Sequence, residues 1–498
     1  MKEERTEIKI VVRSGRETRE ISAPQGANLL ETLRGRGFFF DAPCGGRGRC
    51  GKCGVRLISG EVEGAVPDGQ GRFLSCLARV SGPLEIEVFE RNGGGLLDAV
   101  PGIAETDGET GYGVALDLGT TTLAFYLMEL STGRELDRFA CLNPQAVFGG
   151  DVVSRISACA EGHLSDLFAL VRDRTSEVLK TFADKHGIPE ISRLTVCGNT
   201  TMLHLFKDTD ASPLGVAPFT PAFSGTQKFS GETLGLPARE VVLLPNIGAY
   251  VGADISAGLL AVKLGAGGAE LFADIGTNGE MAVRANGKFL CTSTAAGPAF
   301  EGANISCGMG GVPGAIDRVW TESGEVRFRT LGGISPAGLC GCGLVDAIRV
   351  MLELGVIDET GAFLEGEPFR IAENVAVTQK DVREFQLAKS AVCAGLKVLM
   401  RRAGVEPSDV VRLCVAGGLG FWLDPVSAEK TGLIPSGLAD RIEVVGNSAG
   451  AGAKLCLLSA DNLRECERIA ETSEVVDLSE DPDFMDEYIG NMTFGEPL

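Results

Sequence analysis

The chain has 498 residues and a net charge of −21, from 46 basic and 67 acidic side chains. This length predicts two to four domains, and so acidic a surface argues against nucleic-acid binding, which needs a basic footprint. No apolar signal region follows the charged start, and no apolar run reaches the roughly 18 residues of a membrane span. The fifteen cysteines are too scattered for a secreted disulfide scaffold. We therefore expect a protein of the reducing cytoplasm that does not contact a membrane.

The first 94 residues are predicted to form a small domain of strands and one helix. Alternating apolar residues and turn signals predict strands at 7–13 and 19–23 and others starting near Val55 and Leu84, with a short helix from Asn28 to Gly35. A glycine-rich loop lies between the helix and the third strand, and this loop carries the most informative residues of the domain.

Four cysteines in and after this loop are interpreted as iron ligands. They are Cys44, Cys50, Cys53 and, after 22 intervening residues, Cys76. Glycines let the loop fold tightly and turn its N–H groups toward sulfur, and four thiolates are what a [2Fe–2S] cluster needs. The C-x5-C-x2-C spacing is one residue longer than the plant-type ferredoxin loop. A structural zinc site and unligated cysteines are the alternatives, and zinc is less favoured because only one CxxC-like pair is present.

The order of strand pair, helix, cysteine loop and closing strand resembles a β-grasp ferredoxin. The resemblance implies a carrier of single electrons, whose potential depends on N–H···S bonds and solvent exposure. Arg47 and Arg49 flank the predicted ligands. They are either contacts for a redox partner or solvated side chains, and we favour the second interpretation.

Residues 95–112 are predicted to be a flexible linker. They are rich in Gly, Asp and Thr and show no periodic pattern. Such a linker either lets the ferredoxin domain swing between an electron donor and an acceptor or serves as a passive spacer. The sequence favours neither alternative.

Residues 113–498 carry one short phrase twice, each time between two apolar strands. The two copies are Asp117 with Gly119, Thr120, Thr121 and Thr122, and Asp274 with Gly276, Thr277, Asn278 and Gly279. Hydroxyls and backbone N–H groups in such turns can cradle phosphates, and the carboxylates can hold Mg²⁺ directly or through water. The repeat predicts a duplicated fold with nucleotide phosphates held between two hairpins.

A third glycine loop, at Gly417 and Gly418, follows another apolar strand and is predicted to border adenosine. Helices of small residues are predicted from Gly248 and from Gly446. The order of these motifs resembles the acetate and sugar kinase, Hsp70 and actin superfamily over residues 113 to about 460. The resemblance implies a multi-domain α/β chain whose two-lobed ATPase unit binds ATP with Mg²⁺.

Further phrases are more specific, and with the iron–sulfur domain they resemble the ATP-dependent reductive activators of corrinoid proteins. These phrases begin at Asn143, Cys197, Gly297, Thr378 and Pro482. The resemblance implies that one electron from the [2Fe–2S] cluster reduces the inactive cobalt(II) of a corrinoid protein to cobalt(I) for methyl transfer, driven by ATP hydrolysis. The partners it implies are a corrinoid protein of a methyltransferase system, a low-potential electron donor and a second copy of the chain.

Other functions stay open at this point. One is an ATP-driven activase of another low-potential enzyme, such as a dehydratase or an aromatic-ring reductase, and another is a redox-sensing regulator that binds ATP. A small-molecule kinase fused to a ferredoxin is least favoured because nothing in the sequence suggests a sugar or acetate pocket. Fuller members of the family carry an additional small domain between the ferredoxin and ATPase units, which this chain is expected to lack.

The resemblance also implies roles for individual residues. Asp117 and Asp274 are the expected organisers of Mg²⁺ and the attacking water, and the alternative is that they only cap their own turns. Three residues in the family phrases are expected to line the cleft, namely Asn199, Glu301 and Asn304.

Two other features have competing interpretations. Cys340 and Cys342 form a C-x-C pair in which the family leads us to expect serine at 342. The pair is either a metal site or, as we favour, a pair of small residues before a helix. His204 lies in an apolar phrase and is expected to be a packed core histidine rather than a cobalt ligand.

Overall fold

The structure is a computed structural model that describes seven ranges of the chain. They are residues 7–14, 17–35, 53–67, 72–88, 105–265, 267–419 and 422–495. The predictions for Cys44, Arg47, Arg49 and Cys50, and for the linker up to residue 104, lie outside these ranges. Within them, no helix combines the length and the apolar character that crossing a membrane requires.

The N-terminal unit is a five-stranded mixed sheet packed on one short helix. Its elements are β1 (Glu7–Ser14), β2 (Glu17–Pro24), α1 (Leu29–Gly35), β3 (Gly54–Glu63), β4 (Arg72–Leu74) and β5 (Arg79–Val88). The strand order is β2-β1-β5-β3-β4, with β1 and β5 parallel. Alternate residues of β1, among them Ile10 and Val12, are fully buried against Leu29 and Leu33 of the helix. The predicted strand pair, helix and closing strand are confirmed.

Residues 105–111 are attached to the second unit, although they belong to the predicted linker. The Asp107 carboxylate accepts hydrogen bonds from the Ser459 hydroxyl at 3.0 Å and the Ala460 N–H at 2.7 Å. The Thr106 hydroxyl donates to the Leu130 carbonyl at 2.9 Å. The last part of the linker is therefore fixed, and the domain boundaries at 94 and 112 stay predictions.

The first lobe of the second unit is a six-stranded sheet flanked by helices. Its strands are β6 (Tyr112–Leu118), β7 (Thr122–Glu129), β8 (Arg134–Leu142), β9 (Ile191–Gly198), β10 (Gln227–Ser230) and β11 (Ala238–Leu243). Its helices are α2 (Val152–Ala158), α3 (Leu164–His186), α4 (Thr200–Phe206), α5 (Gly231–Leu234) and α6 (Ala253–Val262). The order β10-β11-β9-β6-β7-β8 places the antiparallel meander β6-β7-β8 beside the parallel strands β9 and β11.

The second lobe repeats this plan and adds two small sheets. Its strands are β12 (Ala269–Ile275), β13 (Gly279–Ala285), β14 (Lys288–Thr294), β15 (Ala315–Glu322), β16 (Glu325–Thr330), β17 (Gly338–Leu339), β18 (Phe369–Ala372), β19 (Val375–Val377), β20 (Val410–Gly417), β21 (Ile442–Gly446) and β22 (Ser473–Val475). Its helices are α7 (Gly341–Glu353), α8 (Gln379–Ala403), α9 (Pro425–Lys430), α10 (Ser448–Leu458), α11 (Ala460–Thr472) and α12 (Phe484–Gly490). The main sheet has the order β21-β20-β12-β13-β14-β22, so the meander β12-β13-β14 again lies beside two parallel strands. The duplicated α/β fold is confirmed.

Helices α6 and α10 pack against each other with little space between their backbones. Gly258 of α6 lies beside Ser448 of α10, where an added Cβ would be 2.9 Å from the serine hydroxyl. An added Cβ on Gly452 of α10 would overlap the backbone carbonyl of Ala257. The small residues that predicted two helices therefore serve a direct backbone contact, which larger side chains would separate.

We expect Gly452→Ala to lower the free energy of unfolding by about 1–3 kcal/mol, the usual cost of overpacking a tight interior contact. Urea unfolding followed by tryptophan fluorescence measures this change in the ATPase unit, because Trp320 and Trp422 are the two tryptophans of the chain. The matched control is Gly490→Ala, where the new methyl group meets nothing within 4 Å. Equal stability of both variants would contradict the close contact between α6 and α10.

Candidate functional site

A cavity of about 360 Å³ lies where the two repeated hairpins meet. Its lining includes most of the residues predicted for nucleotide binding: Asp117, Gly119, Thr120, Thr121, Thr122, Asp274, Gly276, Thr277, Asn278, Gly417 and Gly418. Gly279 does not line the cavity, because it is the buried first residue of β13 and faces Thr294 and Val392. The structure therefore brings residues about 300 positions apart along the chain into one site, as the repeat predicted.

In each hairpin the motif glycine donates its N–H to a carbonyl further along the turn, three residues on in the first and two residues on in the second. The Gly119 N–H donates to the Thr122 carbonyl at 3.0 Å, and the Gly276 N–H donates to the Asn278 carbonyl at 3.0 Å. A Cβ on Gly119 would lie 2.6 Å from the carbonyl oxygen of Thr122, so this turn needs glycine. Thr121 and Thr277 lie in the turns, at the cavity wall.

The first hairpin is held from behind by residues of the family phrases. The Asn143 side chain donates to the Gly119 carbonyl at 2.9 Å, and the Asn199 side chain donates to the Thr120 hydroxyl at 2.9 Å. The guanidinium of Arg155, which is fully buried, donates to the Thr120 carbonyl at 2.5 Å. Burial lowers the pKa of Arg155 to about 10, so a positive charge remains behind this hairpin at neutral pH.

Four carboxyl groups face one another in the cavity: Asp117, Asp254, Asp274 and Glu280. Burial is the main cause that raises the pKa of each of them. The pKa rises to about 6 for Asp117, to about 7 for Asp254 and to about 8 for Asp274. Repulsion among the negative charges raises the values further. Such a site favours a cation, because positive charge relieves both the burial penalty and the repulsion.

Asp254 and Glu280 were not predicted as site residues. Asp254 lies in the first turn of α6, and Glu280 is the second residue of β13, directly after Gly279. In the sequence, Asp254 is marked only by its place in a helix of small residues, and Glu280 only by its place after the motif glycine Gly279. Asp254 reaches Asp117 within the first lobe, whereas Glu280 comes from the second lobe and meets them only because the two lobes pack together.

Glu301 connects the two hairpins across the cavity. Its carboxylate accepts hydrogen bonds from the Thr277 N–H at 2.8 Å and hydroxyl at 3.0 Å, and from the Thr121 hydroxyl at 3.1 Å. The expectation for Glu301 and for Asn199, which also lines the cavity, agrees with the structure. Asn304 does not agree, because its side chain is exposed and reaches Glu384 instead, at 3.5 Å.

The third glycine loop leaves no room for a side chain at one position. Gly417 has a φ of 79°, and a Cβ there would overlap the Asp274 carboxylate and lie 2.7 Å from the Ile275 carbonyl. Gly418 has open space around it. Phe300 and Trp422, two aromatic residues that the sequence did not single out, also line the cavity.

His204 is a core histidine, as predicted. Its Nδ1–H donates to the Thr200 carbonyl at 2.7 Å, and its Nε2 accepts from the Ala222 N–H at 2.9 Å. The ring stacks on Phe223 with 4.3 Å between centroids. Burial lowers the pKa of this imidazole, and both of its nitrogens are occupied, so it is unsuited to bind a metal.

Two cysteines of the predicted cluster, Cys53 and Cys76, lie within the described residues, and both are buried. The segments that carry them are hydrogen-bonded to each other. The N–H and the hydroxyl of Ser75 both donate to the Cys53 carbonyl, at 2.9 and 2.8 Å. The Asn28 side chain donates to the Cys76 carbonyl at 2.8 Å. Neither cysteine is in a disulfide. Local hydrogen bonds thus hold the two cysteine segments in place, as a shared cluster would require.

The ferredoxin-like sheet and the two lobes around an acidic cavity define the class of the protein, an iron–sulfur domain joined to an ATPase. Comparison with known families agrees with this class. The model of the 2Fe-2S iron-sulfur cluster binding domain matches residues 12–81. The model of the RACo middle region matches residues 112–266, which form the first lobe, and that of the C-terminal domain of RACo, the ASKHA domain, matches residues 268–496.

Individual relatives are similar over most of the chain. The corrinoid activation enzyme RamQ of Eubacterium limosum is 33% identical over 465 residues, which cover 85% of this chain and 77% of that protein. The [Co(II) methylated amine-specific corrinoid protein] reductase of Methanosarcina barkeri is 27% identical over 401 residues, 72% of each chain. A solved structure described as a reductive activator for corrinoid, iron-sulfur protein matches with a TM-score of 0.72 and 27% identity over 98% of both chains.

The chain therefore belongs to the RACo family of reductive activators. The family matches confirm the predicted cofactor classes, a [2Fe–2S] cluster for the first unit and ATP with Mg²⁺ for the second. They do not assign individual residues to these cofactors, so the roles of the cavity residues and the cysteines stay predictions.

The acidic cavity predicts how stability changes with pH. Because the pKa values of Asp117, Asp254 and Asp274 are raised in the folded state, these groups hold protons that the unfolded chain releases. The stability that they contribute is present at about pH 4 and is lost as the pH rises to about 8, by at most about 1.4 kcal/mol per pH unit for each group. Urea unfolding in a metal chelator should show this loss, and Asp274→Asn should make the pH dependence shallower. A stability that rises from pH 5 to pH 8 by the same amount in both proteins would contradict the carboxyl cluster.

Proposed function

We propose that this chain is an ATP-dependent reductive activator that passes one electron from a [2Fe–2S] cluster to the cobalt(II) of a corrinoid protein. The observation that carries this proposal is the presence, in one chain, of a ferredoxin-like unit and of an ATPase cavity built from both lobes. The similarity to RamQ, which is named a corrinoid activation enzyme, extends over both units. Cobalt(I), the product, is the form that accepts a methyl group.

The coupling to ATP has a simple energetic reason. For a one-electron transfer, about 59 mV of unfavourable potential difference costs a factor of ten in the equilibrium, or about 1.4 kcal/mol. A difference of a few hundred millivolts between cluster and cobalt therefore costs several kcal/mol. Nucleotide can supply that energy only if it binds one conformation of the protein more tightly than another, and if the corrinoid partner also distinguishes these two conformations.

The residues of the cavity fit a nucleotide with its metal ion. Bound MgATP would supply the hydrolysable phosphate bond and a divalent cation. Mg²⁺ in such sites keeps several waters and takes one or two carboxylates together with phosphate oxygens. We assign Asp117 and Asp274 to this role, with Asp254 and Glu280 completing the negative field.

The hydroxyls of Thr121 and Thr277 are the proposed phosphate contacts. In the structure they donate to Glu301, whose carboxylate is an anion like a phosphate group. Phosphate and Glu301 would compete for the same donors, and repulsion would move the carboxylate away from a bound triphosphate. Binding of phosphate would therefore break the hydrogen bonds of Glu301 to both hairpins at once.

The first unit fits a [2Fe–2S] cluster in its donor chemistry. Cys53 and Cys76 would provide two of the four thiolates, and Cys44 and Cys50, outside the described residues, would provide the others. A bound cluster would supply a carrier of one electron at a time. A low-potential donor for this cluster, a homodimer and a cytoplasmic location remain parts of the proposal that rest on family resemblance and composition.

The nucleotide half of the proposal predicts that Asp274→Asn slows ATP-dependent cobalt(I) formation by at least about a hundredfold, because the site loses a carboxylate proposed to hold Mg²⁺ and to orient the attacking water. The assay is anaerobic absorbance of a cobalt(II) corrinoid protein, mixed with the cluster-loaded chain and a low-potential reductant before MgATP is added. Asparagine resembles the protonated carboxyl that the cavity already favours, so the fold should be retained.

Asp137→Asn is the control for this variant, because Asp137 pairs with Lys185 and His186 away from the cavity. We expect it to form cobalt(I) at the normal rate. Cobalt(I) formation at full rate by Asp274→Asn, or without ATP by the unchanged protein, would show that nucleotide chemistry at this cavity does not drive the transfer.

The cluster half predicts that Cys76→Ser loses the [2Fe–2S] signal and cobalt(I) formation but still binds MgATP, because its thiol lies in the other unit. Electron paramagnetic resonance of the reduced protein, iron content and ATP binding measure the three properties. Cys141→Ser is a matched control, since Cys141 is as buried as Cys76 but lies in strand β8. A Cys76→Ser protein that retains the cluster signal would contradict the assignment of this ligand.

A further inference from the structure

Two cysteines outside the cluster lie together in the wall of the nucleotide cavity. Cys340 precedes the first residue of α7, and Cys342 lies in the first turn of the same helix. Both line the cavity and are otherwise buried, with 4% and 3% of their surface exposed. In the part of the chain that the structure describes, the route by which a small molecule reaches them is the cavity that holds the proposed ATP site.

The backbone around this pair is held by close contacts with the segments at Phe300, Ile316 and Leu419. A Cβ on Gly341 would overlap the Phe300 carbonyl and lie 2.9 Å from the Leu419 side chain, and one on Gly343 would overlap the Ile316 carbonyl. The Cys340 N–H donates to the Ile316 carbonyl at 3.1 Å. The two sulfurs therefore stay close enough to hydrogen-bond to each other. Two cysteines separated by one residue also satisfy the Cα separation that a disulfide allows.

The two thiols differ in acidity. The hydrogen bond from the Cys342 thiol, with help from the Gly343 N–H, lowers the pKa of Cys340 in spite of its burial. The same hydrogen bond and burial raise the pKa of Cys342. Cys340 is thus the nucleophilic member of the pair, and Cys342 carries the proton. This division is the one found in pairs that exchange with disulfides.

Cys342 also connects the pair to the glycine loop after β20. Its sulfur lies 3.6 Å from the Leu419 carbonyl oxygen, a second acceptor that the thiol proton can use in place of Cys340, and it accepts from the Trp422 N–H. Leu419 follows Gly418, and Trp422 lines the cavity, so these contacts belong to the wall proposed to border adenosine. A Cys342 sulfur without its proton cannot donate to Leu419.

We propose that Cys340 and Cys342 are a reversible dithiol–disulfide pair whose oxidation by a small organic disulfide weakens ATP binding. The Cys340 thiolate attacks one sulfur of the organic disulfide and releases one thiolate. The Cys342 sulfur then attacks Cys340 of the mixed disulfide and releases the second organic group as a thiol, which takes the Cys342 proton. The pair loses two electrons and the organic disulfide gains them. The inference rests on the nucleotide-binding part of the proposed function.

The experiment uses the complete, cluster-loaded chain under anaerobic conditions, with hydroxyethyl disulfide as the oxidant. After removal of the oxidant, mass mapping of the peptide with both cysteines should show the loss of two hydrogen atoms. The Kd for MgATP, read from tryptophan fluorescence, should rise about tenfold or more. Dithiothreitol should restore both values, and saturating MgATP should slow the oxidation because it fills the route to the thiols.

Each variant is compared with itself before and after oxidant. In Cys340→Ser the ratio of the two Kd values should stay near one, because the nucleophile is gone. In Cys342→Ser the peptide should keep one organic group attached to Cys340, since closure is impossible. These two results separate the pair from the thirteen other cysteines of the chain.

Three results would overturn the inference. They are a Cys340–Cys342 peptide that stays reduced while the Kd changes, an organic group that remains attached in the unchanged protein, and a closed disulfide with an unchanged Kd. Failure of the reduced protein to bind ATP would instead contradict the proposed function, and the mass mapping would still decide whether the disulfide forms.

Discussion

The architecture of the ATPase unit depends on keeping several buried carboxyl groups close together in one cavity. Asp117, Asp254, Asp274 and Glu280 come from both lobes, and no basic side chain is among the described residues that line this cavity. In such surroundings negative charge is costly, which is why the pKa values are raised. The cavity therefore favours positive charge, and a metal ion carried by a nucleotide offers it where phosphate contacts are also available.

The carboxyl cluster and the first hairpin are stabilised by uncharged hydrogen-bond donors and by one guanidinium group outside the cavity. The Asn447 side chain donates to Asp117 at 2.8 Å and stabilises its charged form without neutralising it. Arg155 places its charge behind the first hairpin, where it contacts the Thr120 carbonyl rather than a carboxylate. A lysine or arginine inside the cavity would relieve the repulsion permanently and reduce the need for a bound cation.

The sequence predicted those parts of the site that are local in the chain. Asp117 and Asp274 each precede a glycine turn between apolar strands, so a few neighbouring residues specify the hairpins. Asp254 was not predicted, because its position follows from how α6 packs on the hairpins, and Glu301 was expected in the cleft only from its family phrase. A family phrase alone was not sufficient, because Asn304 lies in the same phrase as Glu301 and was expected in the cleft, yet its side chain is exposed. The linker prediction rested on composition, which could not show that Asp107 bonds to residues more than 350 positions away.

The same contacts explain how a change of charge in the cavity can reach the arrangement of the lobes. Asp254 lies in the first turn of α6, and Asn447, which binds Asp117, caps the first turn of α10. The N-termini of both helices thus end in the carboxyl cluster, while their middle sections meet at Gly452 and Ala257 with no space between backbones. Two helices in such contact cannot approach further, so a force on their ends must move them by sliding or by carrying their lobes along. A cation that draws Asp254 of the first lobe and Asp274 of the second together therefore acts directly on the interface between the lobes, without a longer path through the core.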